Sequence, residues 1–302
     1  MSEGYRDWTH PDGDLPEQAP EGLVMEVSSH ALALDRVAGL KFDCAVWTNL
    51  TQDHLDFHGS MEEYYEAKKT LFTSYLKDGG VAAVNIDDAW GARLVGECPA
   101  LKTITFGQSD NATLRIVNSD CSWDGTVIDF ENEGTGSRLS SRLCGFFNVY
   151  NIAAMYAVAL ARGADMHVVQ RALDSRPTIP GRMERVDLPT DYAVVVDYAH
   201  TPDALDKVLE TARALTPERL ICVFGCGGDR DRTKRPLMAE AVARHCDEAV
   251  VTSDNPRSEE PAAIIEDIRG GIPLDFSYRV EQDRRTAIGL AMRTARAGDC
   301  IV

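Results

Sequence analysis

The 302 residues are too many for one small module and enough for two domains. Hydrophobic residues make up 44% and charged residues 26%, as in a globular protein with a substantial core. The 31 Lys and Arg against 48 Asp and Glu give a net charge of −17, which argues against nucleic acid as a general partner. A small anionic ligand held by local arginines remains compatible with this charge.

The sequence contains no apolar run as long as a transmembrane helix, and its first 20 residues carry no apolar core of a secretory signal. The eight cysteines form no C-x-x-C pair, and several lie within apolar runs. We therefore expect free, buried thiols in a reducing cytoplasm, without membrane insertion, in place of a zinc ribbon or a disulfide framework.

The first part of the chain predicts short strands and helices in alternation. Residues 1–20 are polar and rich in proline, and we expect them to be disordered. Buried strands are predicted at GLVMEV (22–27) and DCAVWTNL (43–50), with a helical pattern between them. A helix at 61–76 precedes strands at GVAAVNID, TITFG, TLRIVN and TVIDF, and two more helices are predicted at 146–163 and MHVVQRALDS.

The stretch RPTIPGR (176–182) contains two prolines and a glycine, and we place a boundary there between domains at 21–179 and 180–302. Beyond it, the strand patterns DYAVVVDYA, RLICVFG and EAVVTSD alternate with helical patterns. This predicts an α/β protein with a parallel sheet covered on both faces. GLVMEV follows no earlier β–α unit, and the final GDCIV resembles one more buried strand, so we expect a fragment.

Polar side chains cluster in TNLTQDHLDFHG (48–59), directly after a predicted buried strand, where ligands bind in open α/β sheets. The pattern is compatible with a metal site and with a solvated loop whose histidines cap the next helix. Glu26 ends an apolar run, where a buried carboxylate would need a partner or a cation, but it could equally lie in water. The candidate ligands of the cluster are Asp53, His54, Asp56 and His58.

The loop G-C-G-G-D-R after LICVF lacks the dinucleotide fingerprint, because Arg230 stands where the third glycine would be. Four of the seven residues 229–235 are basic, namely Arg230, Arg232, Lys234 and Arg235. A charge run is usually a solvated face. In an acidic protein and after a glycine-rich strand end, it favours an anion pocket.

The segment SDNPRSEEP follows the predicted strand EAVVT. We expect Ser258 to cap the next helix, with Glu259 and Glu260 in its first turn and Pro261 tolerated there. Asp254, Asn255 and Arg257 then cluster at the carboxyl end of the strand, where an arginine fork would suit a carboxylate.

Several strings together resemble the Mur ligase family, in order from about Leu23 to the last residue. They are MEVSSHALALDRV, TNLTQDHLDFHGSMEEYYEAKK, GFFNVYN, GRMERVD, VVVDYAHTPDAL, VFGCGGDRDRTKRPLM and SDNPRSEEP. Within the family, they are similar to the type that adds the third residue of the peptidoglycan stem peptide. The resemblance implies a partial central ATPase domain followed by a Rossmann-like C-terminal domain.

The resemblance also implies an ATP-dependent amide ligation. The γ-phosphoryl group of ATP would pass to the D-glutamate carboxylate of UDP-N-acetylmuramoyl-L-alanyl-D-glutamate, and the amine of the incoming amino acid would displace phosphate from the acyl phosphate. Transfer between two anions requires cations and alignment more than covalent help from the protein. A monomer is expected.

Residue roles follow from the same resemblance. Glu26 and His54 match magnesium ligands, and Lys68 matches a lysine that the family carbamylates, although spacing alone leaves Lys69 open. Carbamylation turns a cation into an oxygen ligand of the kind that Mg²⁺ prefers. Ser28 and Arg36 match residues that hold the UDP-muramoyl substrate, and Leu34 stands where the family usually has a glutamine.

Five further residues match positions that contact the nucleotide. They are Asn148 (adenine), Asn151, Arg182 (phosphate), Asp197 (ribose) and His200.

In the family, D-N-P-R (Asp254, Asn255, Pro256 and Arg257) is the signature for meso-diaminopimelate in place of lysine. Arg257 and Arg230 would hold the distal carboxylate that lysine lacks. Leaving a desolvated arginine unpaired is costly, so the resemblance predicts strong rejection of lysine.

The chain contains no G-x-x-x-x-G-K-[ST] phosphate loop, no following Thr-Thr-Pro and no Gly-Lys-Gly-His-Glu string. Without the phosphate loop, binding of the β- and γ-phosphates is weakened, and we expect the 302 residues by themselves not to ligate. A ligase of the folylpolyglutamate synthetase type and a non-catalytic remnant that binds nucleotide or diaminopimelate stay open. A dinucleotide oxidoreductase is disfavoured by the failed fingerprint.

Overall fold

The structure, a computed structural model, describes residues 22–51, 55–175 and 178–302, and no side chain at 55 or 56. The prediction of disorder for residues 1–20 lies outside these ranges. The described residues form two compact units, the first up to Phe42 together with Thr51–Lys77, and the second made of Asp43–Leu50 and Asp78–Val302.

The first unit contains three helices, α1 (Ser29–Ala33), α2 (Leu55–His58) and α3 (Met61–Ser74). The hydroxyl of Ser60 accepts a hydrogen bond from the Glu63 amide and caps α3. This confirms the helix predicted at 61–76, except for its last two residues.

The strand predicted at 22–27 is wrong, because residues 22–28 belong to no helix or strand. Leu23 is 70% exposed and Val24 is 99% exposed. An apolar run becomes a buried strand only where neighbouring strands supply hydrogen bonds and cover, and the described part of the chain places none beside this segment. The helical pattern that follows gives only the short α1 and then turns.

The second unit contains a mixed sheet in the order β1-β2-β3-β4-β5-β6. Its strands β2, β3 and β4 are parallel, whereas β4, β5 and β6 form an antiparallel meander. Helix α5 (Phe146–Ala161) packs on this sheet through Val149, Ile152 and Ala153. The strands are β1 (Phe42–Trp47), β2 (Leu76–Asn85), β3 (Lys102–Gly107), β4 (Leu114–Ser122), β5 (Gly125–Asn132) and β6 (Thr135–Ser141), and the other helices are α4 (Ala89–Glu97) and α6 (Met166–Ser175).

The same unit contains a second sheet, in the order β11-β10-β9-β12-β8-β7, which is parallel except for β7. Along β9 (Leu220–Phe224), alternate residues enter two different hydrophobic clusters, one on each face. This confirms the predicted parallel sheet covered on both faces. The remaining elements are β7 (Glu184–Arg185), β8 (Ala193–Val196), α7 (Pro202–Leu215), α8 (Lys234–His245), β10 (Glu248–Val251), α9 (Pro261–Arg269), β11 (Tyr278–Val280), α10 (Arg284–Thr294) and β12 (Cys300–Ile301).

All eight cysteines lie in the described ranges and are unbridged. Five of them are buried, whereas Cys44, Cys98 and Cys121 are half-buried, so the expectation of buried thiols holds for the larger part. Among the described residues, no helix combines the length and the apolar composition needed to cross a bilayer.

Candidate functional site

The loops that follow β9 and β10 interlock through glycine. A Cβ on Gly228 would lie 1.8 Å from the carbonyl oxygen of Pro256, and a Cβ on Gly225 would lie 2.3 Å from that of Thr252. The Gly228 amide donates a hydrogen bond of 2.9 Å to the Asn255 carbonyl. Only residues without a side chain allow this approach, so the two glycines fix the distance between the loops.

Arg257 lies at the point where the two loops meet. Its backbone φ is +49°, and its Nη1 donates a hydrogen bond of 2.6 Å to the carbonyl of Gly228. The Arg257 amide donates to the side chain of Asn255 at 3.2 Å. Its Nε and Nη2 make no hydrogen bond within the described residues, so one side of the guanidinium remains available to a ligand.

Arg230 belongs to the other loop and is exposed. Its guanidinium makes no ion pair or hydrogen bond within the ranges that the structure describes. Asp254 is exposed as well. The predicted diaminopimelate residues therefore occupy two loops that the structure brings together, at the carboxyl end of a parallel sheet.

A carboxylate joins the same two loops. Asp229, with φ of +50°, accepts hydrogen bonds from the Ser258 amide at 3.1 Å and from the Ser258 hydroxyl at 2.7 Å. These donors hold the pKa of Asp229 below its usual range. The predicted role of Ser258 as a helix cap is wrong, because its hydroxyl donates to Asp229 and Glu260 holds the N-cap position of α9. Glu259 and Glu260 therefore precede the first turn in which we expected them.

Arg235 is only 1% exposed and is held by two carboxylates. Its Nη2 and Nη1 donate to Glu259 Oε1 at 2.6 Å and Oε2 at 2.9 Å, and Nη1 donates to Asp267 Oδ2 at 2.8 Å. The hydrogen bond from Arg235 is the main cause that lowers the pKa of Glu259 to about 2. Arg235 Nε, also buried, has no hydrogen-bond partner.

The anion pocket predicted from the run 229–235 therefore needs correction. Arg235 is a buried structural residue, and Arg232 pairs with Asp267 through hydrogen bonds of 3.0 and 3.1 Å. Arg230 and Lys234 are exposed and make no ion pair within the described residues. Only part of the run is thus available to an anion, since two of its four cations are already neutralised.

Three of the predicted nucleotide residues lie in a second pair of loops, one before β7 and one after β8. Asp197 accepts hydrogen bonds of 2.8 Å from the amides of Met183 and Ala199. The Tyr198 amide donates to the Gly181 carbonyl at 2.8 Å, which joins this loop to the segment that carries the exposed Arg182. His200 is exposed, and its Nδ1 lies 3.0 Å from the Tyr198 carbonyl. The structure thus brings Arg182, Asp197 and His200 into one loop pair.

The other two nucleotide residues begin α5. The Asn148 side chain is 5% exposed, donates to the Cys144 carbonyl at 2.7 Å and accepts from Asn151 Nδ2 at 3.0 Å. A Cβ on Gly145 would lie 2.8 Å from the methyl of Thr211, so the start of α5 lies against α7. Both asparagines are therefore fixed by local contacts.

Two of the predicted metal ligands, Glu26 and Lys68, belong to the first unit. Glu26 is exposed in the irregular segment 22–28, and His54 lies outside the described residues. Lys68 is half-buried on α3, with its Nζ 5.4 Å from the centroid of the Tyr64 ring. The neighbouring Lys69 donates to Glu66 at 3.2 Å. The ligand set stays a prediction.

The predicted substrate residues Ser28 and Arg36 belong to the first unit too. The Ser28 hydroxyl accepts from the Ala31 amide at 3.2 Å and caps α1, and Arg36 is exposed. Of the candidate ligands at 48–59, His58 is 6% exposed, lies 2.9 Å from the Ser29 hydroxyl and stacks on Tyr64. His58 is therefore buried against residues of the first unit, and its role as a ligand stays a prediction.

Sequence reasoning missed a carboxylate that ties α5 to the strand ends. Asp87, after β2, accepts hydrogen bonds from the amides of Gln108 at 2.6 Å and Ser109 at 3.0 Å and from the Tyr150 hydroxyl at 2.9 Å. Burial of the hydroxyl, and to a smaller extent its hydrogen bond to Asp87, raises the pKa of Tyr150 to about 12. The available signal was Gly107 at the end of β3, where a Cβ would lie 2.7 Å from the Asp87 carboxylate.

The second unit combines a parallel sheet covered on both faces with a mixed sheet and places interlocked loops at the carboxyl ends of the parallel strands, which defines an α/β protein. The sequence pattern of the Mur ligase middle domain matches residues 12–159, and that of the Mur ligase glutamate ligase domain matches residues 181–302. The chain belongs to the Mur ligase family.

Two relatives are named UDP-N-acetylmuramoyl-L-alanyl-D-glutamate–2,6-diaminopimelate ligase. The one from Thermosynechococcus vestitus is 49% identical over 92% of this chain and 56% of its own length. The one from Syntrophomonas wolfei is 45% identical over 95% of this chain and 59% of its own length. The chain therefore spans a little more than half the length of these relatives.

Comparison with solved structures also indicates the Mur ligase family. A structure of UDP-N-acetylmuramoyl-L-alanyl-D-glutamate–2,6-diaminopimelate ligase is 37% identical, with a TM-score of 0.69 over 91% of this chain and 57% of that one. Folylpolyglutamate synthase from Thermotoga maritima has a TM-score of 0.66 over 86% of this chain and 57% of its own, but at 14% identity it indicates the fold alone.

Proposed function

We propose that the chain is part of a cytoplasmic ligase that uses ATP to join meso-diaminopimelate to UDP-N-acetylmuramoyl-L-alanyl-D-glutamate in peptidoglycan biosynthesis. The observation that carries this proposal is the interlocked pair of loops after β9 and β10, one of which contains Arg230 and the other Arg257. The names of the relatives support the same reaction.

The distal end of diaminopimelate bears an amine and a carboxylate, whereas lysine bears only the amine. The unpaired side of Arg257, together with Arg230, would bind that carboxylate in a charge-assisted contact. Asp254, Asn255 and Pro256 would complete the site, with the exposed Asp254 carboxylate suited to the amine. Lysine would leave two arginines without an anion, so the loops would select against it.

ATP would bind beside α5 and the joined loops before β7 and after β8. Asn148 and Asn151 would contact adenine, Asp197 and His200 the ribose side, and Arg182 a phosphate. Arg182 is exposed and makes no ion pair within the described residues, which suits a phosphate contact. Each Asp197 oxygen already accepts a backbone amide, so the carboxylate is oriented before any ligand arrives.

Two of the three donors proposed for Mg²⁺ fit its chemistry, since Glu26 and a carbamate on Lys68 would supply the oxygen that it prefers. His54 would add an imidazole nitrogen. The exposed Glu26 carboxylate is accessible to an ion. When bound, Mg²⁺ would neutralise charge on the phosphate oxygens. Ser28 and Arg36 would contact the UDP-muramoyl substrate, and the two domains are proposed at 21–179 and 180–302 in a monomer.

The reaction would proceed through an acyl phosphate. The D-glutamate carboxylate takes the γ-phosphoryl group of ATP, and ADP leaves. The amine of diaminopimelate then attacks the acyl carbon, phosphate leaves, and the new amide nitrogen loses a proton. This chain's own contribution is alignment, because Arg257 and Arg230 would fix one end of diaminopimelate and thereby direct its amine towards the acyl carbon.

A domain replacement tests this function. Residues 22–302 would replace the matching stretch of the Thermosynechococcus vestitus relative, and tripeptide formation would be measured with diaminopimelate and with lysine. We expect ATP-dependent ligation of diaminopimelate and little ligation of lysine. The substitution Arg257→Met should abolish the preference, whereas Arg244→Met, on the exposed side of α8, should leave it intact.

Equal turnover of lysine and diaminopimelate by the hybrid would contradict the assigned specificity, and turnover of neither would contradict the function. The 302 residues alone, which contain no G-x-x-x-x-G-K-[ST] string, should bind diaminopimelate in calorimetry without ligating it. Tripeptide formation by this chain alone would show that the phosphate loop is dispensable.

A further inference from the structure

Arg235 is a buried cation whose position is set by carboxylates from α9 and from the segment before it. A buried charge without a partner costs several kcal/mol, about 3 or more. Glu259 meets Arg235 with both of its oxygens, and Asp267 supplies a third contact. These contacts therefore restrict the positions of both carboxylates, because moving either one would take a partner from the buried Arg235 guanidinium.

Glu259 also reaches the opposite loop. Its Oε1 accepts a hydrogen bond of 2.6 Å from the Asp229 amide, in addition to the one from Arg235. The Asp229 carboxylate in turn binds the amide and the hydroxyl of Ser258. A closed set of contacts thus connects α8 with both loops.

The two arginines proposed to bind the distal carboxylate of diaminopimelate flank this set directly. Arg230 follows Asp229, and Arg257 precedes Ser258. Asp229 and Arg257 both have positive φ, at +50° and +49°, a conformation that residues other than glycine rarely adopt. Such backbone persists only where surrounding contacts hold it.

We propose that Arg235 and Glu259 are positioning residues that set the separation of Arg230 and Arg257, and so determine the selectivity for diaminopimelate without contacting it. This inference rests on the proposed function. Two arginines can share one distal carboxylate only at a suitable separation, whereas the amine that lysine also carries does not depend on that separation. Loosening the pair should therefore weaken recognition of the carboxylate in particular.

Calorimetry of the 302-residue chain with meso-diaminopimelate tests the inference. Glu259→Gln keeps the size of the side chain but places an NH₂ group against an Arg235 donor in either orientation, and in one of them against the Asp229 amide as well. We expect the dissociation constant to rise about tenfold, as for the loss of one charge-assisted contact. Glu266→Gln, an exposed residue of α9 paired with Arg269, is the matched control and should change it less than about twofold.

A double-mutant cycle separates positioning from general destabilisation. If Glu259 acts through Arg257, then Glu259→Gln combined with Arg257→Met should bind no more weakly than Arg257→Met alone. Additive losses, or unchanged binding by Glu259→Gln, would overturn the inference.

Amide hydrogen exchange supplies a readout that needs no ligand. Glu259→Gln should accelerate exchange at Gly228 and Ser258, whose amides cross between the loops, with exchange in β9 unchanged. If the unaltered chain fails to bind diaminopimelate, the proposed specificity fails, and the exchange result still decides whether Glu259 holds the loops. Unchanged exchange at both amides would reject the positioning role.

Discussion

The loops after β9 and β10 differ from residues 22–28 in how far their conformation is set by contacts within the described chain. In the loops, two glycines in close contact with backbone carbonyls and a buried Arg235 fix the backbone around Arg257. In segment 22–28, Glu26 is exposed and Val24 is 99% exposed. Both regions carry motifs of the same family.

This difference shows that a sequence motif and a defined local structure support the assignment of a residue's role independently of each other. The assignment of Arg257 rests on the family pattern and also on a structure that orients the side chain. The assignment of Glu26 rests on the pattern alone. Experiments on the loops should therefore give large structural effects, and experiments on the first unit smaller ones.

The largest expected effect belongs to Arg235→Met. The substitution leaves Glu259 and Asp267 without their shared cation, and we expect the free energy of unfolding to fall by about 3 kcal/mol, measured by urea denaturation. Arg244→Met is the control, because the Arg244 guanidinium is 59% exposed and pairs with Asp206 at the surface. It should cost less than about 1 kcal/mol. Equal stability of Arg235→Met and the unaltered chain would mean that this ion network does not hold the loops.

The second expected effect concerns the glycine contact. Gly228→Ala places a methyl group 1.8 Å from the Pro256 carbonyl oxygen, so the loops must separate. We expect a loss of about 1–3 kcal/mol in unfolding free energy, together with weaker binding of diaminopimelate. In contrast, Gly96→Ala in α4 meets nothing within 4 Å and should stabilise the chain by about 0.5–1 kcal/mol. If Gly228→Ala changed the free energy of unfolding as little as Gly96→Ala, the close contact between the two loops would be absent from the folded protein.

Much of the fold could be predicted because local periodicity decides it. The apolar run of β9 and the amphipathic pattern of α7 indicate their structures without help from distant residues. β7 could not be predicted in this way, since two residues carry no periodicity and the strand exists only through its pairing with β8. The strand predicted at 22–27 failed for the related reason that an apolar run does not specify its neighbours.

The candidate site divides in a similar way. The identities of Arg230 and Arg257 could be predicted from the sequence, but their backbone conformation could not. Arg235 lies in a run that resembles a solvated basic face, and its partner Glu259 is 24 positions away in sequence. Only the packing of α8 against α9 turns that surface-like arginine into a buried one.

The smallest expected effect lies in the first unit. His58 and Ser29 are both buried and lie 2.9 Å apart, which ties α2 to α1. His58→Phe keeps an aromatic ring beside Tyr64 but leaves the Ser29 hydroxyl without this partner, at a cost of about 1 kcal/mol in urea denaturation. His167→Phe on the exposed face of α6 is the control and should be close to neutral.

Ser29→Ala combined with His58→Phe should cost little more than His58→Phe alone, because the first change removes the orphaned hydroxyl. If His58→Phe lowered the free energy of unfolding as much as Arg235→Met, the contrast between the first unit and the loops after β9 and β10 would be wrong. That result would mean that contacts within the first unit hold its helices as firmly as the buried arginine holds the loops. The helices next to Glu26 in sequence would then be rigid, and the structural support for Glu26 would be as strong as that for Arg257.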